Sequence, residues 1–379
     1  MNTFKLIKNF FSKIKFFVSS LDILQDLKNH KPKIVFFSEH KSYQKYSKIL
    51  IDFISSNNSE KIYYLSLDKD DKIINKKVKN YFIDLRLVNY IFKNLKAQNL
   101  FLTVTDLGNN LIKKTNNIDN YIYYFHSPVS TTKNYTTKAF DNYDTIMCNG
   151  QFQIDEIRVR ENLKNLTKKN LIPSGYFYFD YLIKNINHNI NLKKILIAPS
   201  WNNQMSNFIN ENFVKLIDVL IKKNFKVIFR PHPEHFKRSK NILKKIKNNF
   251  SQQNFEFDED ANNFKSMEEA KCLITDSSGI AIEYMLIMKR PVLYLDEYDK
   301  IHNSEFNDYS NLQTIDIKIK NNFGYLFTKK DFDIIDNIIN NSQDDFQKKL
   351  PLLKHFINEH FFNFGKTKNF LKLNLNKIL

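Results

Sequence analysis

Short apolar segments alternate with helical patterns along this chain, and the alternation constrains the fold more than any other feature. The apolar segments lie at 33–39, 61–67, 99–107, 121–127, 144–150, 193–201, 225–233, 272–278 and 291–297. Residues with helical spacing follow most of them, as in "HKSYQKYSKILIDFI" after the first. Strands that are joined by helices favour parallel sheets covered by helices. The sequence therefore predicts an α/β architecture.

The alternation stops near 185–193 and then restarts, which predicts two domains. The chain has 379 residues, of which 42% are apolar and 35 are Phe, and this is too much for one ordinary core. We expect two Rossmann-like domains that face a central cleft. The predicted segments are an N-terminal helix over 1–30, a first domain over 31–188, a second domain over 189–345 and C-terminal helices over 346–379.

Residues 1–30 combine a helical stripe of apolar side chains with several lysines. Lys5, Lys8, Lys13 and Lys15 interrupt any continuous apolar run, so a secretory signal fits poorly. A basic helix with a Phe-rich face can lie in a membrane interface, or it can pack on the protein's own core. The basic flank favours the membrane surface. The sequence has no run of 18 apolar residues, which excludes an ordinary transmembrane helix.

The formal net charge of +18 has several explanations. A solvated lysine surface accounts for it as well as an anionic substrate, an anionic membrane surface or nucleic acid. The lysines are dispersed and show no aromatic–basic binding motif, so we expect no nucleic-acid partner. A basic nucleic-acid-binding protein stays a distant alternative.

Two cysteines, Cys148 and Cys272, lie in apolar strand-like segments. They have no metal-ligand spacing, which favours buried free thiols in a reducing compartment over a disulfide.

Polar residues follow the predicted strands, and ligands of open parallel sheets bind beyond the carboxyl ends of strands. One such end carries Asp276, Ser277, Ser278 and Gly279 directly before a helical pattern. A helix cap explains one hydroxyl, whereas three small polar residues followed by Gly favour a phosphate site. Glu283 lies one turn further on, where it could bind ribose hydroxyls or simply face solvent.

A second strand end reads "RPHPEHF". Its two prolines end the strand. Arg230 could hold phosphate oxygens in a fork, and His232 could donate to them while titrating near neutrality. His235 is a weaker candidate, because it could face solvent.

A third strand end, "YFHSPVSTTK", begins with His126. Hydroxyl and amine side chains follow it: Ser127, Ser130, Thr131, Thr132 and Lys133. If the domains face each other, His126 lies across the cleft from Arg230, His232 and 277–279, as a general base would. The His and Asp residues lack metal-ligand spacing, so we expect neither a metal nor another cofactor.

The segments "RPHPEH", "TDSSGIAIEYMLIMKRPVLYLD" and "ILIAPSWN", together with the His126 segment, resemble the CDP-glycerol glycerophosphotransferases, which include teichoic-acid primases and polymerases. The resemblance is strongest over 193–300. It implies the GT-B fold, with an acceptor-binding first domain and a second domain that binds a CDP-activated polyol. It also implies transfer of a polyol phosphate to a hydroxyl of a cell-surface glycan or glycolipid, release of CMP, and a peripheral position on the cytoplasmic side of an anionic membrane surface.

Two motifs of that family match this chain position by position, with departures. Residues 230–233 match its Arg/Lys-Pro-His-Pro motif, and 275–279 match its Thr-Asp-X-Ser-Ser region, with Gly279 where the family has Ser. Ser127 stands where the family's His-Gly-Thr segment has Gly. The resemblance implies catalytic roles for His126 and His232. It implies donor binding by Arg230, Asp276, Ser277, Ser278 and Gly279. From the residues alone, Glu283 is a further candidate for donor binding, and the candidates for acceptor or phosphate contacts are Ser127, Ser130, Thr131 and His235.

Related GT-B enzymes that use CMP-activated acidic sugars, such as Kdo or sialic acid, share His-Pro and Ser-Ser elements. A glycosyltransferase with such a donor is therefore the main alternative. A GT-B scaffold without catalytic activity is less attractive, because His126 and His232 are both present.

Overall fold

In the computed structural model, the residues described are 17–18, 20–27, 30–109, 111–187, 192–201, 211–250, 254–260, 262–296, 300–309 and 311–379. Most of the helix predicted over 1–30 lies outside these residues. Within its last third the structure has one short helix, α1 (Asp22–Asp26).

The first domain is built on a parallel sheet of seven strands in the order β3-β2-β1-β4-β5-β6-β7. Its strands are β1 (Ile34–Ser38), β2 (Ile62–Ser66), β3 (Val78–Phe82), β4 (Ala97–Leu102), β5 (Ile118–Tyr124), β6 (Thr145–Met147) and β7 (Asn170–Ile172). Strands β1 and β2 are buried at every position, as expected for strands that are covered on both faces. The strand order reverses between β1 and β4.

The second domain repeats this plan with a parallel sheet of six strands in the order β10-β9-β8-β11-β12-β13. Its strands are β8 (Lys194–Ile197), β9 (Lys226–Phe229), β10 (Phe255–Phe257), β11 (Cys272–Thr275), β12 (Val292–Leu295) and β13 (Tyr325–Phe327). Here the order reverses between β8 and β11. Each predicted apolar segment overlaps one strand of these two sheets, and β3, β7, β10 and β13 are additional.

Helices connect the strands and cover both faces of each sheet. They are α2 (Gln44–Asn57), α3 (Val88–Asn94), α4 (Thr131–Asn134), α5 (Gln151–Leu163), α6 (Phe177–Asn185), α7 (Glu211–Lys222), α8 (Pro233–Arg238), α9 (Lys240–Asn249), α10 (Phe264–Glu269), α11 (Ile280–Glu283), α12 (Ile315–Phe323), α13 (Ile335–His360) and α14 (Thr367–Ile378). A π-helical turn, Tyr284–Met288, continues α11. Short 3₁₀ turns occur at Lys41–Tyr43, Leu85–Leu87, Phe306–Tyr309 and Lys329–Ile334.

The C-terminal part of the chain connects the two domains. Helix α13 begins in the second core, where Ile335 and Ile339 are buried. Helix α14 returns to the first domain, where Leu371 and Leu375 pack in the same apolar cluster as Phe36 of β1. The first core is therefore completed by residues from the far end of the chain.

Both cysteines are buried and unpaired, which confirms the prediction of free thiols. Among the helices that the structure describes, none is long and apolar enough to cross a membrane.

Candidate active site

The carboxyl ends of the two sheets meet at a cleft between the domains. The loop after β5 and the loop after β11 come so close that a Cβ atom built on Gly279 would collide with Oγ of Ser127. The same atom would lie 3.1 Å from Cγ1 of Val129. The structure thus brings together the predicted segments that follow His126 and Thr275, at the place where ligands of such sheets bind.

His126 follows β5 and has a ring nitrogen without a partner. Its Nδ1 is buried and makes no hydrogen bond to any described residue. The rings of Tyr43, Tyr46 and Tyr135 surround the imidazole at centroid distances of 5.2, 6.2 and 6.2 Å. Burial, helped by the nearby Lys45 ammonium, lowers the pKa of His126 to about 4. The imidazole is therefore neutral near pH 7 and has a lone pair available to accept a proton.

His232 has two tasks, one at each ring nitrogen. It is the N-cap of α8, and its Nδ1 accepts a hydrogen bond from the Glu234 backbone N–H at 3.2 Å. Burial lowers the pKa of His232 well below its ordinary value, so the ring is neutral. A neutral ring whose Nδ1 accepts carries its proton on Nε2, an assignment that follows from the hydrogen bond. His232 is therefore a hydrogen-bond donor at Nε2.

His235 is buried, although its sequence position also allowed it to face solvent. Its side chain is 6% exposed, and its Nδ1 has no partner among the described residues. Burial lowers the pKa of His235 to about 4. Its ring lies 6.4 Å from that of His232.

Arg230 is already engaged within the protein. Its Nη1 donates to the Asp258 carboxylate at 2.6 Å and its Nη2 donates to the Asp260 carbonyl oxygen at 2.7 Å. Only 13% of the side chain is exposed. In the structure the guanidinium holds the loop after β10, whereas the expected phosphate fork would need it to point into the cleft. A direct contact between Arg230 and a donor stays a prediction.

Asp276 also has an internal partner. Its carboxylate accepts hydrogen bonds from the Ser200 backbone N–H, at 2.8 Å, and from the Ser200 hydroxyl. The bond ties the loop after β11 to the loop after β8, where the strand order reverses. Ser277, Ser278 and Gly279 follow and are partly exposed at the start of α11.

Glu283 is buried rather than presented to a ribose. It is 3% exposed, and both carboxyl oxygens have partners in the protein. Oε1 lies 2.7 Å from the Tyr176 hydroxyl, and Oε2 accepts from Asn263 Nδ2 at 3.1 Å. Both oxygens thus have partners among the described residues, and a contact of Glu283 with ribose hydroxyls stays a prediction.

Ser130 and Thr131 are buried at the start of α4, and their contacts with an acceptor stay predictions. The Ser130 backbone N–H donates to Asp316 of α12 at 2.9 Å. The Thr131 backbone N–H and hydroxyl both donate to Glu156 of α5, at 2.5 and 2.6 Å. Burial raises the pKa of Glu156 to about 7. Ser130 therefore fastens one domain to the other, and Thr131 holds α4 on α5.

Two lysines that the sequence motifs did not indicate add positive charge to the cleft. Lys45 of α2 donates to Asn263 Oδ1 at 2.9 Å, and burial lowers its pKa to about 8. Lys300 follows β12, and its charge acts on His126, His232 and His235. Burial lowers the pKa of Lys300 too. The only sequence signal for Lys300 is its place just after a strand end. Among the residues described, no group of His, Cys, Asp or Glu could hold a metal ion.

The chain resembles known proteins in its fold and not in its sequence. No protein-family model and no curated protein sequence matches the chain. Solved structures do match: wall teichoic acid polymerase TagF, in a variant soaked with CDPG, superposes with a TM-score of 0.61 at 15% identity, over 99% of this chain and 96% of that chain.

Two further similar structures are a complex with UDP and a putative epimerase. Staphylococcus aureus MnaA, in a complex with UDP, has a TM-score of 0.57 at 11% identity, over 92% of this chain and 98% of that chain. A putative UDP-N-acetylglucosamine 2-epimerase from Listeria monocytogenes has a TM-score of 0.54 at 10% identity, over 92% and 96%. These similarities confirm the predicted GT-B architecture of two Rossmann-like domains.

Proposed function

We propose that this protein transfers a polyol phosphate, glycerol phosphate in the first instance, from a CDP-activated donor to an acceptor hydroxyl and releases CMP. The acceptor is a cell-surface glycan or glycolipid. The observation that carries the proposal is the neutral His126 imidazole, whose Nδ1 has no partner among the described residues, in the loop that contacts the 277–279 segment across the cleft. The full-length similarity to TagF in a CDPG-soaked structure supports the choice of donor.

In the proposed reaction, His126 takes the proton of the acceptor hydroxyl while the oxygen attacks the outer phosphorus of the donor. The new O–P bond forms as the bond from that phosphorus to the bridging oxygen breaks, and CMP leaves with the electron pair. His232 donates from Nε2 to a phosphate oxygen, and the amides and hydroxyls of 277–279 hold the diphosphate. Burial, Lys45 and Lys300 lower the pKa of His126, and the negative charge of a bound donor offsets the effect of the two lysines.

A donor panel tests the proposal. Purified protein is incubated with CDP-glycerol, CDP-ribitol, CMP-Kdo, CMP-sialic acid and UDP-N-acetylglucosamine, and the unfolding temperature and nucleotide release are measured. A donor at 100 times its Kd stabilises the folded state by about 2.7 kcal/mol. We expect the CDP-polyols to stabilise the protein and to give CMP release. Stabilisation by CMP-Kdo or CMP-sialic acid alone would favour the glycosyltransferase alternative, and no response to any donor would contradict both.

We further propose that the enzyme works at the cytoplasmic face of a membrane, where lipid-linked acceptors are presented. The net charge of +18 and the lysines of residues 1–30 support binding to anionic lipid. We expect co-sedimentation with vesicles that contain anionic lipid and not with neutral vesicles. Equal binding to both, or no loss of binding after removal of residues 1–30, would contradict this part of the proposal.

A further inference from the structure

We propose that Glu283 is a protonated carboxylic acid in this structure, and that it positions His126 through the Tyr176 hydroxyl. The assignment of the proton to Glu283 follows from the hydrogen-bond donors and acceptors around it, and it does not depend on which reaction the protein catalyses. The consequence for His126 in catalysis rests on the proposed function.

The argument begins at Tyr176, whose hydroxyl oxygen lies between two acceptors. It is 2.9 Å from the backbone carbonyl oxygen of His126 and 2.7 Å from Oε1 of Glu283. A phenol has one proton to donate. Burial raises the pKa of Tyr176 well above its ordinary value, so the hydroxyl keeps that proton. If Glu283 were ionised, one of the two contacts would bring together two oxygens with no proton between them.

A proton on Glu283 satisfies both contacts. The acid then donates from Oε1 to the Tyr176 oxygen, and Tyr176 donates to the His126 carbonyl. Among the described residues, the His126 carbonyl oxygen has Tyr176 as its one hydrogen-bond donor. Without this arrangement the partly buried carbonyl at the end of β5 would lose its partner within the protein, and the hydrogen bond to it would be lost.

The other side of the carboxyl group fits the same assignment. Asn263 Oδ1 accepts from Lys45 Nζ at 2.9 Å and from the Tyr178 hydroxyl at 2.8 Å, which fixes the orientation of the amide. Asn263 Nδ2 must therefore point to Glu283, where Oε2 accepts from it at 3.1 Å. A neutral acid donates at Oε1 and accepts at Oε2, so each contact from Asn263 to the His126 carbonyl has one proton. The Tyr46 hydroxyl, which also bonds to Tyr176, brings a proton of its own.

The charged and titratable groups around Glu283 do not replace the proton. Those that face it are Lys45 and Tyr46 of α2, Tyr176 and Tyr178 at α6, Arg230 after β9 and Asn263 before α10. Each of the two cations is held by another acceptor, Lys45 by Asn263 and Arg230 by Asp258. Burial outweighs their attraction and raises the pKa of Glu283.

The hydrogen bond between Glu283 and Tyr176 links the two domains next to His126. Glu283 belongs to the second domain, whereas Tyr176 and His126 belong to the first. Loss of the proton would break the bond that holds the His126 carbonyl when the domains are together. Glu283 is thus a positioning residue that acts on the candidate base through one tyrosine.

The test uses Glu283→Gln, because a glutamine amide donates from nitrogen and accepts at oxygen as the neutral acid does. A carboxyl group whose pKa is raised in the folded state contributes stability at low pH, and the contribution is lost as pH rises through the folded pKa. We measure the unfolding temperature of wild type and E283Q between about pH 5 and pH 9. We expect the wild type to lose stability relative to E283Q as pH rises. A difference in unfolding temperature between the two proteins that does not change with pH would overturn the proposal. So would an E283Q protein that loses stability relative to wild type as pH rises.

Tyr176→Phe provides the matched control, because it removes the hydroxyl and keeps the ring. In the Y176F background Glu283 stays buried, so E283Q should still change how stability depends on pH. E283Q should no longer move the alkaline limb of kcat in that background, and a shift as large as in the wild-type background would overturn the route through Tyr176. Infrared spectra give a direct readout, since E283Q should lack one protonated-carboxyl band that wild type shows near neutral pH. If wild type and E283Q show the same protonated-carboxyl bands, none of these bands belongs to Glu283, and Glu283 is ionised.

A kinetic measurement separates this proposal from the function. If CMP release from CDP-glycerol is observed, the alkaline limb of kcat should move to higher pH in E283Q, and an unmoved limb would contradict the link to His126. If no donor is turned over, the proposed function fails, while the stability and infrared measurements still decide whether Glu283 carries a proton.

Discussion

Gly279 and Ser127 occupy one shared space between the two domains. A Cβ atom at Gly279 would collide with Oγ of Ser127, and it would also lie 3.1 Å from Cγ1 of Val129. The φ of Gly279 is −60°, which any residue can adopt, so only the lack of space requires glycine here. The motifs of the resembled family have Gly at the position of Ser127 and Ser at the position of Gly279. This chain has the reverse, and the contact shows how the two departures are compatible.

Gly279→Ala should therefore push the two loops apart. We expect a loss of about 1–3 kcal/mol in the free energy of unfolding, as for other overpacked sites, and a fall in donor-dependent CMP release of about tenfold or more. The double variant Ser127→Gly/Gly279→Ala vacates the space and should recover much of both losses. Thermal unfolding and CMP release of the two single variants and the double variant measure this coupling. Simple addition of the two single effects would contradict the shared space.

The two tasks of His232 can be separated by substitution. Asn is a good N-cap and can accept from the Glu234 N–H in place of Nδ1, but it cannot reproduce the donor at Nε2. We expect His232→Ala to cost about 1 kcal/mol of stability for the lost cap, and His232→Asn to cost less. Both variants should lose about a hundredfold in kcat for CMP release. Full activity in H232N would show that the residue is only a cap.

The sequence predicts the central strands because their side chains are buried on both faces. It does not predict β3, β7, β10 and β13, and these four are the edge strands of the two sheets. Their burial is incomplete, with one fully buried position in each of β3, β7 and β13 and none in β10. A short strand that is half in solvent has no continuous apolar run for a sequence pattern to detect.

The sequence predicts where the candidate site lies, but it does not predict the hydrogen-bond partners of its side chains. The rule that ligands bind beyond strand ends correctly indicates that the loops after β5, β9 and β11 gather at one cleft. It does not indicate that Arg230 pairs with Asp258, or that Glu283 meets Tyr176, 107 positions away. Such partners are set by the packing of the two domains, and local sequence carries no signal for them.

The pairing of Arg230 leads to a third prediction. Arg230→Ala and Asp258→Ala each leave a largely buried charge without its partner, which costs about 3 kcal/mol. We expect similar decreases in unfolding temperature and similar increases in the KM for CDP-glycerol, because both variants release the same loop. Donor titrations of the two proteins test this. A much larger KM for R230A than for D258A would mean that the guanidinium also touches the donor.

The pH dependence of the reaction follows from the state of His126. Burial lowers its pKa to about 4, so the imidazole stays an unprotonated base until the pH falls far below the usual histidine range. The acid limb of kcat/KM, which reports the free enzyme, should therefore lie at about pH 4 rather than at about 6.5. Rates of CMP release between about pH 4 and pH 8 measure it. Lys45→Met removes a charge that depresses the basicity of His126, so its acid limb should move to higher pH. An acid limb near 6.5 in the wild type, or no movement in K45M, would contradict the assignment of His126 as the buried base.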